Sequence, residues 1–329
     1  MDDTVVFATS RESMMKKLRL LKTTTDDIGM LFHPTKCQFI TVNFNKKEEM
    51  ILDEVTISHT NSYAYLGAII SDDNISAQVA NHISSKQNHI RKFTSFLSKN
   101  SDCPYSVKYK VWTSALNSAI FYSCETWLTN DLKRLETPYM STLKQLLSVR
   151  HTTCNELVNI ETSLPNGKSF VMDRQTKFLQ KLRSRHANNN YIIKTIDMAI
   201  NCKSPMGKII QRLENVQVSY CNQFLENLKQ SIRTSDSSRR KTYLQINPNL
   251  EKSPFLKTNT EYIPNENLTA VNRIRLISHH LKIETGRWSR TPVEERICSC
   301  GMDVQTEEHV LVSCPQTQNL RTEFNIKCS

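Results

Sequence analysis

Ile75-Ser-Ala-Gln-Val79-Ala-Asn-His-Ile83-Ser-Ser-Lys-Gln-Asn-His-Ile90-Arg-Lys-Phe93-Thr-Ser-Phe-Leu97 is where the chain changes period. From Ile75 onward apolar residues return every three or four positions, which gathers them on one face of an α-helix. Before it the apolar runs are short and read as strands. The switch divides the 329 residues into a small mixed part and a long helical part. A length of about 150 residues per domain suggests roughly two domains.

Toward the N-terminus, Tyr63 to Ile70, Ile51 to Ile57 and Phe39-Ile-Thr-Val-Asn-Phe44 read as strands. Thr9-x-x-Glu12 has capping-box spacing and predicts a helix from near Ser10, with Met14, Leu18, Leu21 and Ile28 at helical spacing and Gly29 able to end it. Thr4 to Ala8 is a short β-prone run, so residues 1–72 read β–α–β–β–β. Toward the C-terminus, Pro104 interrupts, and Val107, Val111, Leu116, Ile120 and Trp127 suggest a second long helix. Helical patterns resume at 138–149, 168–186, 189–200 and 206–232. The last carries Ile209, Leu213, Val216, Tyr220, Phe224 and Leu228, an amphipathic stripe that reads as packing. Residues 234–266 are polar, contain Pro248, Pro254 and Pro264, and read as a linker; a helix over 268–282 then leads to a Cys-rich tail. The expected fold class is α+β, mostly α.

The charge is unevenly placed. The chain has 43 Lys+Arg against 32 Asp+Glu, net +11, and residues 76–194 hold 17 basic and 7 acidic residues while 1–75 are net acidic. A basic region on helices is the footprint of a polyanion partner; a solvated face kept for solubility is the alternative. Six Gly, with no GxGxxG or GxxxxGK[ST], argue against a glycine-rich phosphate loop. No apolar run approaches the roughly 18 residues of a membrane span. The N-terminus lacks a secretory pattern, which points to an intracellular chain. Ten Cys without secretion favour reduced thiols and a metal site over a disulfide framework.

Cys298-Ser-Cys300-Gly-Met-Asp-Val-Gln-Thr-Glu-Glu-His309-Val-Leu-Val-Ser-Cys314 supplies that site. Three thiolates and one imidazole can close a tetrahedral Zn²⁺ centre, Gly301 permits the tight turn after Cys300, and a short helix can aim His309 and Cys314 at one ion. Cys328 falls outside the pattern. At the other end, Asp2-Asp3 followed by Thr-Val-Val-Phe-Ala suits a hairpin tip that offers hard oxygen ligands to Mg²⁺; the alternative is a solvated turn.

Taken together and in order, these residues resemble the C-terminal part of a non-LTR (LINE-type) retrotransposon reverse transcriptase. Met1-Asp2-Asp3-Thr4-Val5-Val6-Phe7-Ala8 resembles the [YF]-x-D-D hairpin of the palm, without its aromatic residue. Gly29-Met-Leu-Phe-His33-Pro-Thr-Lys36-Cys37 resembles the next palm motif, with His33 where Asn is usual and Cys37 where Thr is usual. Tyr65-Leu66-Gly67 resembles the primer grip. Tyr122-Ser123-Cys124-Glu125-Thr-Trp127 resembles the thumb's Tyr-Gly-x-Glu-x-Trp, with Ser123 at the Gly position. The tail is similar to the Cys/His motif that follows the polymerase in these elements.

The resemblance implies a partial palm with primer grip over 1–72, a helical thumb over 73–150, a helical extension over 151–233, the linker 234–266 and a zinc-knuckle-like tail over 267–329. It implies an RNA-directed DNA polymerase that uses two Mg²⁺ ions and deoxynucleoside triphosphates, acts on an RNA template and a DNA primer or target, and works in nucleus and cytoplasm. Asp2 and Asp3 would be two of three metal-binding aspartates, and Lys36 would lie near the nucleotide phosphates. Tyr65, Leu66 and Gly67 would position the primer end. Lys86, Arg91, Lys92, Lys99, Lys108 and Lys110 would track the duplex backbone, and Cys298, Cys300, His309 and Cys314 would hold Zn²⁺. Fingers, the first catalytic Asp and any endonuclease are expected before residue 1. The chain therefore reads as a truncated piece, inactive as a polymerase by itself, whose internal Met was taken for a start. The competing readings are a non-catalytic RNA- or DNA-binding module derived from a retroelement, and an unrelated helical scaffold. Arg239-Arg240-Lys241 reads as a solvated run, or as a nuclear import signal or phosphate contact. His279-His280 beside Arg273 and Arg275 stands as a possible neighbour of nucleic acid. Trp288 and Tyr243 read as half-buried, with base stacking as the alternative.

Overall fold

The computed structural model describes residues 4–33, 36–42, 48–71, 75–185, 190–256 and 263–323. It is mostly helical, with a few short strands and a Cys/His cluster. By contact the chain forms two compact units, each assembled from three separate segments: 1–87, 120–135 and 174–215 in the first, 88–119, 136–173 and 216–329 in the second. The segments of the two units alternate along the chain.

In the first unit, Ser10 caps helix α1 (Arg11–Asp27), its hydroxyl accepting the Ser13 N–H at 3.1 Å. That is one residue later than the capping-box spacing places the cap. The chain then turns at Gly29, whose φ of +73° suits a residue without Cβ. Strands β1 (Gln38–Phe39), β2 (Met50–Leu52) and β3 (Val55–His59) form one sheet in the order β1-β3-β2, parallel between β1 and β3 and antiparallel between β2 and β3. The register pairs Met50 with Ile57. Met50, Leu52 and Ile57 are buried beneath Met14, Met15 and Leu18 of α1 and Phe39 of β1. This is the expected layer of strands under one helix.

Two expected strands are hairpins. Ile51 to Ile57 folds back at Asp53, and Tyr63 to Ile70 divides into β4 (Ser62–Tyr65) and β5 (Ala68–Ser71). The β4–β5 connection is Leu66 and Gly67, with φ of +49° and +80°. Two successive left-handed residues make the tight turn whose twist matches antiparallel strands. Thr4 to Ala8 forms no strand, and Phe7 is 79% exposed. A strand needs a paired neighbour for its N–H and C=O groups, and none of the described strands pairs with this run.

The stripe that opens at Ile75 is divided between α2 (Ile75–Ser85) and α3 (Gln87–Lys99), with Val79, Ile83 and Phe93 buried. Pro104 leads into α4 (Tyr105–Val111), which continues through a wide π-helical turn at Trp112–Asn117 into α5 (Ser118–Ile120). The second long helix therefore stops short of Trp127. The remaining helices are α6 (Lys133–Leu146), α7 (Asn155–Thr162), α8 (Gly167–Arg185), α9 (Asn190–Asn201), α10 (Pro205–Glu214), α11 (Tyr220–Arg233), α12 (Ser238–Ile246), α13 (Asn265–Arg275), α14 (Lys282–Trp288) and α15 (Gln318–Glu323).

The expected helix over 206–232 is two helices, because Ser204 and Ser219 each cap a new start. The second start is reinforced by Asp173 of α8, whose carboxylate accepts the Tyr220 N–H at 2.6 Å and the Ser219 hydroxyl. Burial alone would raise this carboxyl. The donors at the positive end of α11 more than offset that and hold it below its usual value. A depressed folded value stabilises the fold fully above the ordinary carboxyl range. The contribution is lost as pH falls through the lower folded value, so below about pH 4. Asp173→Asn is expected to flatten the stability-versus-pH curve in that window, as read by urea melts at pH 2.5 to 5.

The expected linker is not one. Within 234–266 lie α12 and a 3₁₀ turn at Pro254–Leu256, and Tyr243, Leu250 and Leu256 are buried. In the same unit the Tyr243 hydroxyl donates to the Glu161 carboxylate at 2.8 Å, and the Arg275 guanidinium pairs with both oxygens of that carboxylate. Asn247 donates to the Tyr243 oxygen at 3.1 Å, which completes a buried polar network among α7, α12 and α13. Nearby, Trp112 is enclosed between Tyr109 and Tyr139 and its indole N–H donates to Thr142 at 3.2 Å.

Candidate functional site

The tail builds a four-residue cluster from two local turns. A narrow hairpin holds the first pair: Ile297 bridges Val304, the Cys298 N–H donates to Asp303 O at 2.8 Å, and Gly301, at φ +77°, closes the turn behind Cys300. The second pair lies on a π-helical turn, His309–Ser313, in which the Cys314 N–H donates to His309 O at 2.7 Å. That five-residue bond brings His309 and Cys314 to the same side, which the tighter pitch of an α-helix would not do as closely.

The four ligand atoms of Cys298, Cys300, His309 and Cys314 all lie within 4.8 Å of one another. Tetrahedral zinc, with Zn–S of about 2.3 Å and Zn–N of about 2.0 Å, sets two sulfurs about 3.8 Å apart and a sulfur and nitrogen about 3.5 Å apart. The Cys298–Cys314 sulfurs stand 3.8 Å apart, and Cys300 Sγ lies 3.2 Å from His309 Nε2. The residues present fit zinc in donor set and in spacing. His309 turns Nε2 to the cluster and has the Ser313 hydroxyl 3.3 Å from Nδ1, the kind of outer contact that orients an imidazole ligand. The Cys300 backbone N–H pushes the Cys298 thiol down to about 6. None of the nine described cysteines is in a disulfide.

The surrounding chain fixes this cluster in place. His279 accepts the Leu281 N–H at Nδ1, which leaves Nε2 to donate to Glu307 at 2.7 Å, two residues before the ligand His309. The Arg321 guanidinium donates to Cys314 O at 2.7 Å. Neither support has a spacing signature, because each joins residues far apart in the chain or a side chain to a carbonyl.

In the first unit the structure joins two of the motifs. The Tyr122 hydroxyl donates to Leu66 O at 2.6 Å, and its ring lies against Gly67. The Tyr65-Leu66-Gly67 turn and the Tyr122-to-Trp127 segment thus form one corner. Most residues of the latter have a task. Ser123 sits at φ +60°, which explains why Gly would suit that position. Glu125 pairs with Arg174, and Gln175 donates to Cys124 O and Trp127 O. Trp127 is buried against the ring of His82. Lys36 is exposed, and its carbonyl accepts the Tyr63 hydroxyl of β4 at 3.3 Å. A Cβ on Gly67 would stand 3.2 Å from the Tyr122 ring at a φ that L residues disfavour. Gly67→Ala is therefore expected to cost about 1–2 kcal/mol, measured as a lowered urea midpoint.

Asp2 and Asp3 lie outside the described residues, as does Cys328. Of the basic positions, Arg91, Lys92 and Lys99 are exposed on the face of α3 opposite Ile90, Phe93 and Leu97. Lys110 is exposed and Lys86 half-buried. Lys108 is a correction. It is only 4% exposed, and its ammonium donates to Ser101 O at 2.6 Å and Asn265 Oδ1 at 2.9 Å. Burial lowers its pKa, and its donors are occupied inside the fold. Among the described residues no helix is long and apolar enough to cross a membrane. Compared with family models, with curated proteins and with solved structures, the chain matches none.

Proposed function

We propose that this chain serves a reverse transcriptase of the non-LTR retrotransposon kind, with primer–template contacts in its first unit and, separately, on the exposed face of α3 in the second. The observation that carries the reading is the corner in which Tyr122 braces the Tyr65-Leu66-Gly67 turn. Two segments picked out by the same resemblance, 56 positions apart, meet as a rigid hairpin tip. Such a tip is suited to holding a primer strand by its backbone. In this reading Asp2 and Asp3 hold Mg²⁺, Lys36 faces the nucleotide phosphates, and the polymerase chemistry belongs to the intact enzyme. Zinc, once bound, would supply a fixed crosslink in the tail, and Cys298, Cys300, His309 and Cys314 would hold it against RNA or target DNA.

Arg91, Lys92 and Lys99 would add phosphate contacts, each contributing through counterion release. Binding of a primer–template hybrid is therefore expected to weaken with salt. The Arg91→Ala/Lys92→Ala/Lys99→Ala variant should reduce the slope of log K against log salt by about 3, whereas Lys108→Ala should leave the slope unchanged and lower stability. A flat salt dependence in the parent chain rejects the reading. A second reading, a binding module without catalysis, is favoured by the tail, whose cluster is complete within this chain. Primer extension tests what the two readings share: neither expects synthesis by this chain alone, and synthesis that depends on Asp2 and Asp3 would overturn both.

A further inference from the structure

The second unit gathers arginines from three distant segments around one carboxylate. Glu284 is fully enclosed, and its two oxygens pair with Arg239 at 2.8 Å and with Arg287 at 2.9 Å. Arg150 lies within reach of the same cluster: burial lowers its pKa, Glu284 opposes that, and Arg239 and Arg273 add to it. Two guanidinium groups thus pair with this single carboxylate, and Arg150 lies within its electrostatic reach. The deficit is local: Nε and Nη1 of Arg150 and Nε of Arg239 are buried without a hydrogen-bond acceptor among the described residues, three donors against one unmet acceptor there, Glu284 Oε1. Leaving guanidinium donors shut from water and unpaired is costly, so the cluster is short of an anion.

Beside it stands an aromatic platform. The Arg150 guanidinium lies 4.3 Å from the centroid of the Trp288 ring, and Trp288 is 55% exposed. The His280 ring stands perpendicular to the indole at 6.2 Å, and the part of the indole that remains open can take a planar group. An anion-poor arginine cluster next to an open aromatic face matches the two halves of a nucleotide, phosphate and base. In a duplex the bases are already stacked, so only an unpaired strand can present one to the indole.

We propose that Arg150, Arg239 and Trp288 form a site for one nucleotide of a single-stranded nucleic acid, with the base stacked on Trp288 and the adjoining phosphate held by the guanidinium groups. This goes beyond the duplex reading of the first unit and α3, and uses none of its residues.

The test uses the full chain, an oligo(dT) octamer, the same octamer made abasic, a blunt duplex and poly-glutamate. Trp112 and Trp127 are buried, so emission quenched by the octamer reports on Trp288. The expected results are quenching by the octamer and none by the abasic strand. Trp288→Leu should weaken octamer binding about ten-fold and leave duplex binding within about two-fold, and Trp288→Phe, which keeps an aromatic face, should restore most of the octamer affinity. Arg150→Gln should weaken both octamer and abasic strand. Octamer binding that survives Trp288→Leu unchanged overturns the proposal. So does an abasic strand or poly-glutamate that binds as tightly as the octamer, which would mark a general anion or acidic-peptide surface. The Arg91→Ala/Lys92→Ala/Lys99→Ala variant keeps the two readings apart: it should lose duplex affinity while the Trp288 quench persists.

Discussion

Cys300→Ser is expected to strip zinc from the chain and release the tail from Arg296 onward. The cluster ties two turns to each other, and the outer contacts through Glu307 and Arg321 support it. The hairpin is a single bridge between Ile297 and Val304, and the π-helical turn is one wide loop. Structural zinc sites contribute about 10–16 kcal/mol of apparent binding energy at neutral pH, and that energy is spent on folding. Changes to mere outer partners cost about 10–100-fold in metal affinity, so loss of a sulfur ligand should exceed about 100-fold. Metal analysis should find one equivalent in the parent chain and none in the variant. Hydrogen exchange over 296–323 should accelerate in the variant and in the chelator-treated parent, while α6 and α7 stay protected. A variant that retains a full equivalent, or a tail whose exchange ignores chelation, would show that the four side chains meet for packing alone.

Glu161→Gln is expected to destabilise the second unit by about 3–5 kcal/mol. Glu161 has no exposed surface and answers both the Arg275 guanidinium and the Tyr243 hydroxyl. The amide of Gln would turn an NH₂ group toward donors and leave Arg275 enclosed with no countercharge. Tyr243→Phe removes only one hydrogen bond and should cost about 1 kcal/mol. Glu161→Leu with Arg275→Met removes both charges and should recover most of the loss, because a buried ion pair replaced by apolar groups of similar size is often neutral. Urea unfolding of the three variants decides it. A Glu161→Gln cost below that of Tyr243→Phe would mean the carboxylate's charge contributes nothing.

What could be read in advance followed from distance along the chain. The four residues of the Cys/His cluster lie within one short stretch, so their residue types and spacing carried the geometry. The helical patterns at 138–149 and 168–186 announced themselves by period and fall on α6 and α8, the first of which starts earlier, at Lys133. The turn at Leu66-Gly67 did not, because apolar alternation runs through it and Leu is an unusual left-handed residue. The false linker arose because Tyr243, Leu250 and Leu256 are single anchors spaced too widely to make a stripe. Lys108 was misplaced because charge says nothing about burial when the partners, Ser101 O and Asn265, come from elsewhere. The arginine cluster was visible only as scattered residues, since Arg150, Arg239 and Arg287 meet through tertiary structure.

The interleaving of the two units has a consequence for how the chain comes into being. Made from the N-terminus, the first unit lacks its last segment until residue 215 has emerged, and the second is incomplete until the segment from 216 to 329 follows. Helix α3 must therefore wait for later segments to complete its unit, whereas α1 can already pack on the nearby strands β1 to β3. Contacts between distant segments close slowly, and exposed faces in the interval invite aggregation. Cutting the gene at any single point between residues 88 and 215 would yield two pieces that each hold parts of both units and the whole of neither.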